Sequence, residues 1–212
     1  DEDALALFIK GMDMAPDSPY IAELIHQYFL KKGNMDRSIQ VWEKIEEKHP
    51  DVVLPKVYLV RACYERGDYE KAVTMAAQMK CDDSIDLILY RCASMLYLDS
   101  WNKGRLCLIA LADKHPAYAS QVGVMFSERA QMADDNEMFS MAECFFRDAI
   151  DIAPDELWHK VRLAEMLYKI GRDEDALKAC RSVLLQAPDS PYIANLVHNI
   201  FARRNEIGRA HV

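Results

Sequence analysis

The 212-residue chain is 51% apolar, carries a formal net charge of −8 at pH 7 and has a pI near 5.3. That apolar content supports a folded core and excludes a disordered tail. The acidic balance argues against a nucleic-acid or anionic-membrane binder, which needs a basic footprint, and no apolar run is long enough to cross a bilayer. Cys63, Cys81, Cys92, Cys107, Cys144 and Cys180 contain no Cys-x-x-Cys pair, and several sit among apolar residues. They are expected to be free, mostly buried thiols in a reduced, cytoplasmic setting, with neither a disulfide framework nor a zinc site.

In chain order the periodicity gives helix after helix. Residues 1–18 read as the second helix of a truncated unit. A full helix pair follows at 19–52, with Ala22, Ile25, Phe29, Gly33, Ser38, Trp42 and Pro50 at its key positions. The next, at 53–84, places Leu59, Val60 and Cys63 on one helix (Lys56–Arg66). Gly67-Asp68-Tyr69 makes the turn, and Ala72, Val73, Ala76 and Met79 lie on the other helix (Glu70–Lys80). Unit 85–116 is short, with Leu89, Cys92, Ala93 and Leu96 on its first helix. Unit 117–156 is long: Ala119, Val122, Gly123 and Phe126 start a helix that the surplus residues extend through Ser127–Ala133. A solvated turn at Asp134-Asp135-Asn136-Glu137 follows, then Phe139, Ala142, Phe146, Ala149 and Ile150 on the second helix. Unit 157–190 carries Leu163, Ala164, Leu167, Gly171, Ala176 and Pro188. Residues 191–212 read as a truncated unit with Gly208 in its turn. Both ends fall inside a unit, so the chain is expected to be part of a longer protein.

The units are related. Asp1–Leu5 reappears as Asp173–Leu177, and Ala15–Ala22 reappears as Ala187–Ala194. Leu24, His26, Phe29 and Arg37 match Leu196, His198, Phe201 and Arg209, always at a lag of 172 residues. Pro16 to Pro50 and Pro154 to Pro188 are each 34 residues apart, so the lag spans five units of slightly over 34. A fixed period of this size is the signature of a solenoid, whose units bury their apolar faces against neighbours. The run Ala62-Cys63-Tyr64-Glu65-Arg66-Gly67-Asp68-Tyr69-Glu70-Lys71-Ala72-Val73 and its counterparts resemble the tetratricopeptide repeat. The resemblance implies an all-α, right-handed superhelical solenoid of antiparallel helix pairs over residues 1–212.

No catalytic or cofactor chemistry is visible. Gly33, Gly67 and Gly171 take turn positions and Gly11, Gly104 and Gly123 packing positions, which leaves no phosphate-cradling loop. His26 and His198 occupy equivalent sites and read as packing residues. His49 and His115 precede prolines at helix ends, and His159 beside Trp158 shows no nucleophile or carboxylate partner. No metal-ligand cluster or hydrolase motif appears. Most of the eleven methionines recur at core spacing.

The resemblance implies a non-catalytic protein-interaction scaffold, because first helices of tetratricopeptide units line a concave face that holds a peptide or partner helix. The matching residues here are Tyr20, Gln27, Tyr58, Arg61, Tyr64, Tyr90, Arg91, Tyr97, Trp158, Arg162, Tyr168, Tyr192, Asn195 and Asn199. Glu23, Ser94, Ser120, Gln121, Val124 and Glu165 stand beside them. Tyrosine and arginine are enriched at binding hot spots, and the arginine fork suits carboxylates. A protein or peptide partner with acidic and apolar groups is therefore expected, with no cofactor, metal, nucleic acid or membrane. The lysine set of the chaperone-tail carboxylate clamp is missing. The alternatives are a segment of a larger enzyme, such as a glycosyltransferase, that positions substrate or subunits, and a self-assembly module that associates through its truncated ends.

Overall fold

The computed structural model describes residues 2–78 and 84–210, with side chains through Arg204. Met79, Cys81 and the Asp82-Asp83 pair lie outside the described residues. Within them the chain is all α: α1 (Glu2–Met14), α2 (Pro19–Lys32), α3 (Met35–Lys48), α4 (Val53–Arg66), α5 (Tyr69–Gln78) and α6 (Ile85–Met95) are followed by α7 (Trp101–Lys114), α8 (Ala119–Asp135), α9 (Phe139–Ile152), α10 (Leu157–Lys169), α11 (Asp173–Leu184) and α12 (Pro191–Ala210).

Local chemistry sets the helix limits. Ser18, Asn34 and Ser84 accept from the amides of Ile21, Arg37 and Leu87 at 3.5, 3.1 and 3.4 Å. Each satisfies a donor that the first turn leaves without an intrahelical partner. Pro19 opens α2 and Pro191 opens α12, where a missing N–H costs nothing. At the far ends, Gly33, Gly67 and Gly171 take φ of 62°, 85° and 80°. The amide after each bonds back five residues: Asn34 to Phe29 O at 3.2 Å, Asp68 to Cys63 O at 2.9 Å and Arg172 to Leu167 O at 2.9 Å. This left-handed stop favours glycine. The end of α8 uses the same stop without one: Glu137 holds φ 59°, and Met138 N–H reaches Ala133 O at 2.8 Å.

The packing divides into two compact units, residues 1–108 and 109–212. In the first, α1 packs on α2 and α3, α3 on α4, and α5 on α6, while the first helices α2, α4 and α6 touch in succession. Its core holds Ile25, Phe29, Trp42, Ile45 and Leu59, none more than 2% exposed. In the second, α8 pairs with α9 and α10 with α11, and α8, α10 and α12 touch in succession. Phe126, Phe145 and Phe146 fill its centre at 0, 0 and 1% exposure, with the rings of Phe126 and Phe145 stacked at 5.9 Å. Burying one such side chain contributes about 1.5–3 kcal/mol.

Four expectations are corrected. Cys92 and Cys107 form a disulfide, with Cα atoms 6.0 Å apart, while Cys63, Cys144 and Cys180 are free. The 15-residue spacing conceals that α6 and α7 bring these residues face to face, where Gly104 permits a close approach. A Cβ on Gly104 would stand 2.5 Å from the Cys92 carbonyl oxygen. Asp134 is not a solvated turn residue: it is 8% exposed at the end of α8 and accepts from Lys169 Nζ at 2.9 Å. Gly208 is not in a turn, since α12 continues through it to Ala210. Finally, His159 does have a hydroxyl partner, described below.

Candidate functional site

The sequence-predicted residues fall into two sets, one in each unit. In the first unit, α2 and α4 bring Gln27, Tyr58 and Arg61 around Glu23. Gln27 Nε2 donates to Glu23 Oε1 at 2.7 Å, and both Tyr58 hydroxyl and Arg61 Nη1 donate to Glu23 Oε2 at 2.9 Å. Arg61 Nε donates to Glu65 Oε1 at 3.0 Å, and His26 Nε2 shares that oxygen at 3.1 Å while lying 2.9 Å from Oε2. His26 is 0% exposed and lies edge-on to Tyr58, whose ring stacks on Trp42 at 5.0 Å. This is a closed charge network rather than an open clamp.

Burial works against the charged form of both carboxylates, yet their donors win. Gln27, Arg61 and Tyr58 hold Glu23 below the usual carboxylate range, and His26 and Arg61 do the same for Glu65. Burial, then the Glu23 carboxylate, raises the Tyr58 phenol far above its ordinary value. Arg61 thus spends its fork on two internal carboxylates. Its guanidinium also lies 5.7 and 5.8 Å from the ring centroids of Tyr58 and Tyr90.

A second group of aromatics in this unit gathers on α4, on α5, on α6 and just past its end. Tyr64 lies 5.8 Å from Tyr90 and 6.2 Å from Tyr97, and Tyr97 stacks on Tyr69 at 4.1 Å. Tyr69, on a second helix, was missed by the first-helix rule. Tyr58 and Tyr90 are only 8 and 6% exposed, whereas Tyr20 is 74% exposed. Arg91 is half-buried.

The second unit presents a more open face. Trp158 on α10 is 54% exposed, and the Arg162 guanidinium lies 4.1 Å above its ring. Arg162 also donates to Glu165 at 3.2 Å, and Glu165 accepts from the Tyr192 hydroxyl on α12. Trp158 and Arg162 edge a cavity of about 560 Å³ between α8 and α10, whose apolar wall includes Val124 and Met132. Glu128, Gln131 and Asp135 complete its rim. Tyr168 sits apart beneath Arg203, 3.9 Å away, and Asn195 and Asn199 are exposed on α12.

Met132, Gln131 and Asp135 escaped the sequence reading because they belong to the extra turns of α8, outside the 34-residue template. Ser127 belongs to the same stretch. Its hydroxyl lies 2.6 Å from His159 Nδ1, with the two residues 8 and 2% exposed. Burial depresses the His159 pKa, so the ring is neutral in the fold. Gly123 lies against the other edge of that ring, where an added Cβ would stand 3.1 Å from Nε2. The pair therefore braces α8 against α10.

Among the described residues, no group of three or more His, Cys, Asp or Glu side chains could hold a metal ion, and no helix is long and apolar enough to cross a membrane.

Residues 137–200, from α9 into α12, match the tetratricopeptide repeat family model. No curated protein matches the chain. Among solved structures, MamA from Desulfovibrio magneticus RS-1 is similar at 18% identity and a TM-score of 0.53, over 81% of this chain and 97% of that one. A tetratricopeptide repeat protein from Parabacteroides merdae is similar at 13% identity and a TM-score of 0.55, over 98% and 81% of the two chains. A chain of the APC/C hetero-tetramer Cut9–Hcn1 reaches a TM-score of 0.55 at 11% identity, over 97% of this chain and 40% of its own length. Residues 137–200 thus carry tetratricopeptide repeat sequence, and the chain shares its fold with these proteins.

Proposed function

We propose that this chain is a protein-interaction scaffold whose second unit binds a peptide or protein segment in the cavity between α8 and α10. The observation that carries this reading is Trp158: a large aromatic left 54% exposed at the edge of a 560 Å³ cavity, with a guanidinium stacked on its face. Aromatic anchors in such positions dominate binding energy, and half-exposed ones have area left to bury. The first unit's Arg61 serves structure instead, because Glu23 and Glu65 already occupy it. Partner selection in this reading falls to apolar side chains that fill the wall of Val124 and Met132, with Arg162 available to a carboxylate that competes with Glu165.

Peptides selected by display on the whole chain test the reading. The expected result is that Trp158→Ala and Met132→Glu each weaken the selected peptides at least about tenfold, the loss of roughly 1.4 kcal/mol or more typical of a hot spot. Helix content should be unchanged, since both side chains are about half exposed. Selected peptides that bind both variants as tightly as the parent would refute the site.

A further inference from the structure

The wall that α8 gives to the α8–α10 cavity is built largely from its extra turns. Helix α8 runs for 17 residues against 13 for α10, and Gln131, Met132 and Asp135 belong to that surplus. Val124, Glu128, Met132 and Asp135 recur every three or four residues, so they form one stripe along the helix. Glu128 and Asp135 stand two helical turns apart, about 10.5 Å, with Met132 between them. Both carboxylates are exposed. Gln131 Nε2 donates to Asp135 Oδ1 at 2.9 Å, which fixes that carboxylate by one of its oxygens.

Two cations of these helices turn toward α9 instead. Arg129 is buried beside the ring of Phe145 and the sulfur of Met141, and Lys169 pairs with Asp134 over the ring of Phe139. Among the described residues that line the cavity, the one cation is Arg162, on the α10 side. The two walls therefore carry opposite signs. Carboxylates stand on α8 and a guanidinium on α10, with Val124, Met132 and Trp158 as the apolar strip between them.

We propose that the segment bound in this cavity is charged on both edges: a basic edge meets Glu128 and Asp135, an apolar anchor covers Val124, Met132 and Trp158, and a carboxylate meets Arg162. This rests on the cavity being the binding site and adds what selects its occupant. The occupant is a peptide segment of a partner protein with lysine or arginine on one side of an apolar residue and aspartate or glutamate on the other. A segment with acidic and apolar groups alone, which the arginines by themselves suggest, meets repulsion from α8. Each exposed ion pair is weak singly, so the charged edges act through choice of partner and orientation. A segment turned the wrong way about its axis sets like charges face to face on both sides.

A random-peptide display library tests this, panned side by side on the whole chain and on its Glu128→Lys/Asp135→Lys variant. Peptides enriched on the parent are expected to carry a base and an acid flanking an apolar residue. Made synthetically, labelled and read by anisotropy, they should bind the lysine variant at least about tenfold more weakly and lose affinity as salt rises. The neutral Glu128→Gln/Asp135→Asn variant should show an intermediate loss. Replacing the peptides' bases with glutamate should weaken them on the parent and restore them on the lysine variant. Both positions are exposed, so the core is untouched, and circular dichroism checks that helix content is kept. Peptides that lose affinity with Trp158→Ala yet bind the lysine variant as tightly as the parent overturn the charge assignment and leave the cavity as the site. Peptides indifferent to Trp158→Ala and Met132→Glu overturn both.

Discussion

Replacing Glu65 by glutamine probes whether the buried charge network is a structural strut of the first unit. The substitution keeps shape and hydrogen-bonding capacity but removes the charge shared by His26 at 2.9 Å and Arg61 at 3.0 Å. A charge-assisted hydrogen bond is worth about 1.5–3 kcal/mol against roughly 0.5–1.5 for a neutral one, so two such bonds lose about 2 kcal/mol. Glu65 and Arg61 are 20 and 21% exposed, and that partial solvation keeps the figure well below the cost of breaking a fully buried pair. With a urea slope of about 1–3 kcal/mol per molar, the midpoint should fall by roughly 1 M at pH 7. Trp42, stacked on Tyr58, reports on this unit when Trp101 and Trp158 are changed to phenylalanine. The pH dependence gives the sharper check. The folded pKa of Glu65 lies below its ordinary value of 4.5, so its contribution is complete above pH 4.5 and is lost as pH falls through the folded value. The parent and Glu65→Gln curves should therefore converge in strong acid. A negligible midpoint difference at pH 7, or a deficit of the same size in acid, would refute the argument.

Three further outcomes follow from other particulars. Glu137→Gly should stabilise the second unit by about 1 kcal/mol, because glycine takes the left-handed conformation that glutamate holds at φ 59° at a cost; urea unfolding of the pair checks it, and a loss of stability would show that Glu137 has contacts worth more than its strain. Gly104→Ala should destabilise by about 2 kcal/mol despite its better helix propensity. Its Cβ would stand 2.5 Å from the Cys92 carbonyl oxygen and 2.8 Å from Met95 Cβ, neither of which is a flexible side-chain end. His159 is held neutral by burial, so below its ordinary value of 6.5 the unfolded chain takes up a proton that the folded chain refuses. Stability of the second unit should fall as pH drops through 6.5, and His159→Gln should flatten that part of the profile; a parallel fall in both proteins would assign the titration elsewhere.

Much of the helix pattern was legible because it is written in local chemistry. Apolar spacing, glycine stops and the prolines before most pairs need only a few neighbouring residues to be read. The extra turns of α8 were legible for the same reason, since Val122, Phe126 and the apolar positions beyond keep one phase through Ala133. Failures came where two helices meet. Cys92 and Cys107 are unremarkable in their own helices and become a disulfide only across the α6–α7 contact. His159 looks isolated beside Trp158, and its partner Ser127 comes from 32 residues earlier.

The same distinction separates Arg61 from Arg162, which the first-helix rule treats alike. Position within a first helix places Arg61 and Arg162 on comparable faces, and both look available. What differs is the next helix over. Glu23, 38 residues before Arg61, reaches its guanidinium from α2, while Glu65 reaches it from the following turn of α4. Tyr58, stacked on Trp42, adds a further hydrogen bond to Glu23. Arg162 has only Glu165 of its own helix as an ion-pair partner in the described structure, at 3.2 Å, and a ring on one side. A partner carboxylate approaching Arg61 would have to displace two charge-assisted bonds from a half-buried site, whereas one approaching Arg162 displaces a single long one from a surface 36% exposed. Hot-spot propensity read from residue type alone cannot see that difference, because it lies in whether a long-range neighbour has already neutralised the charge.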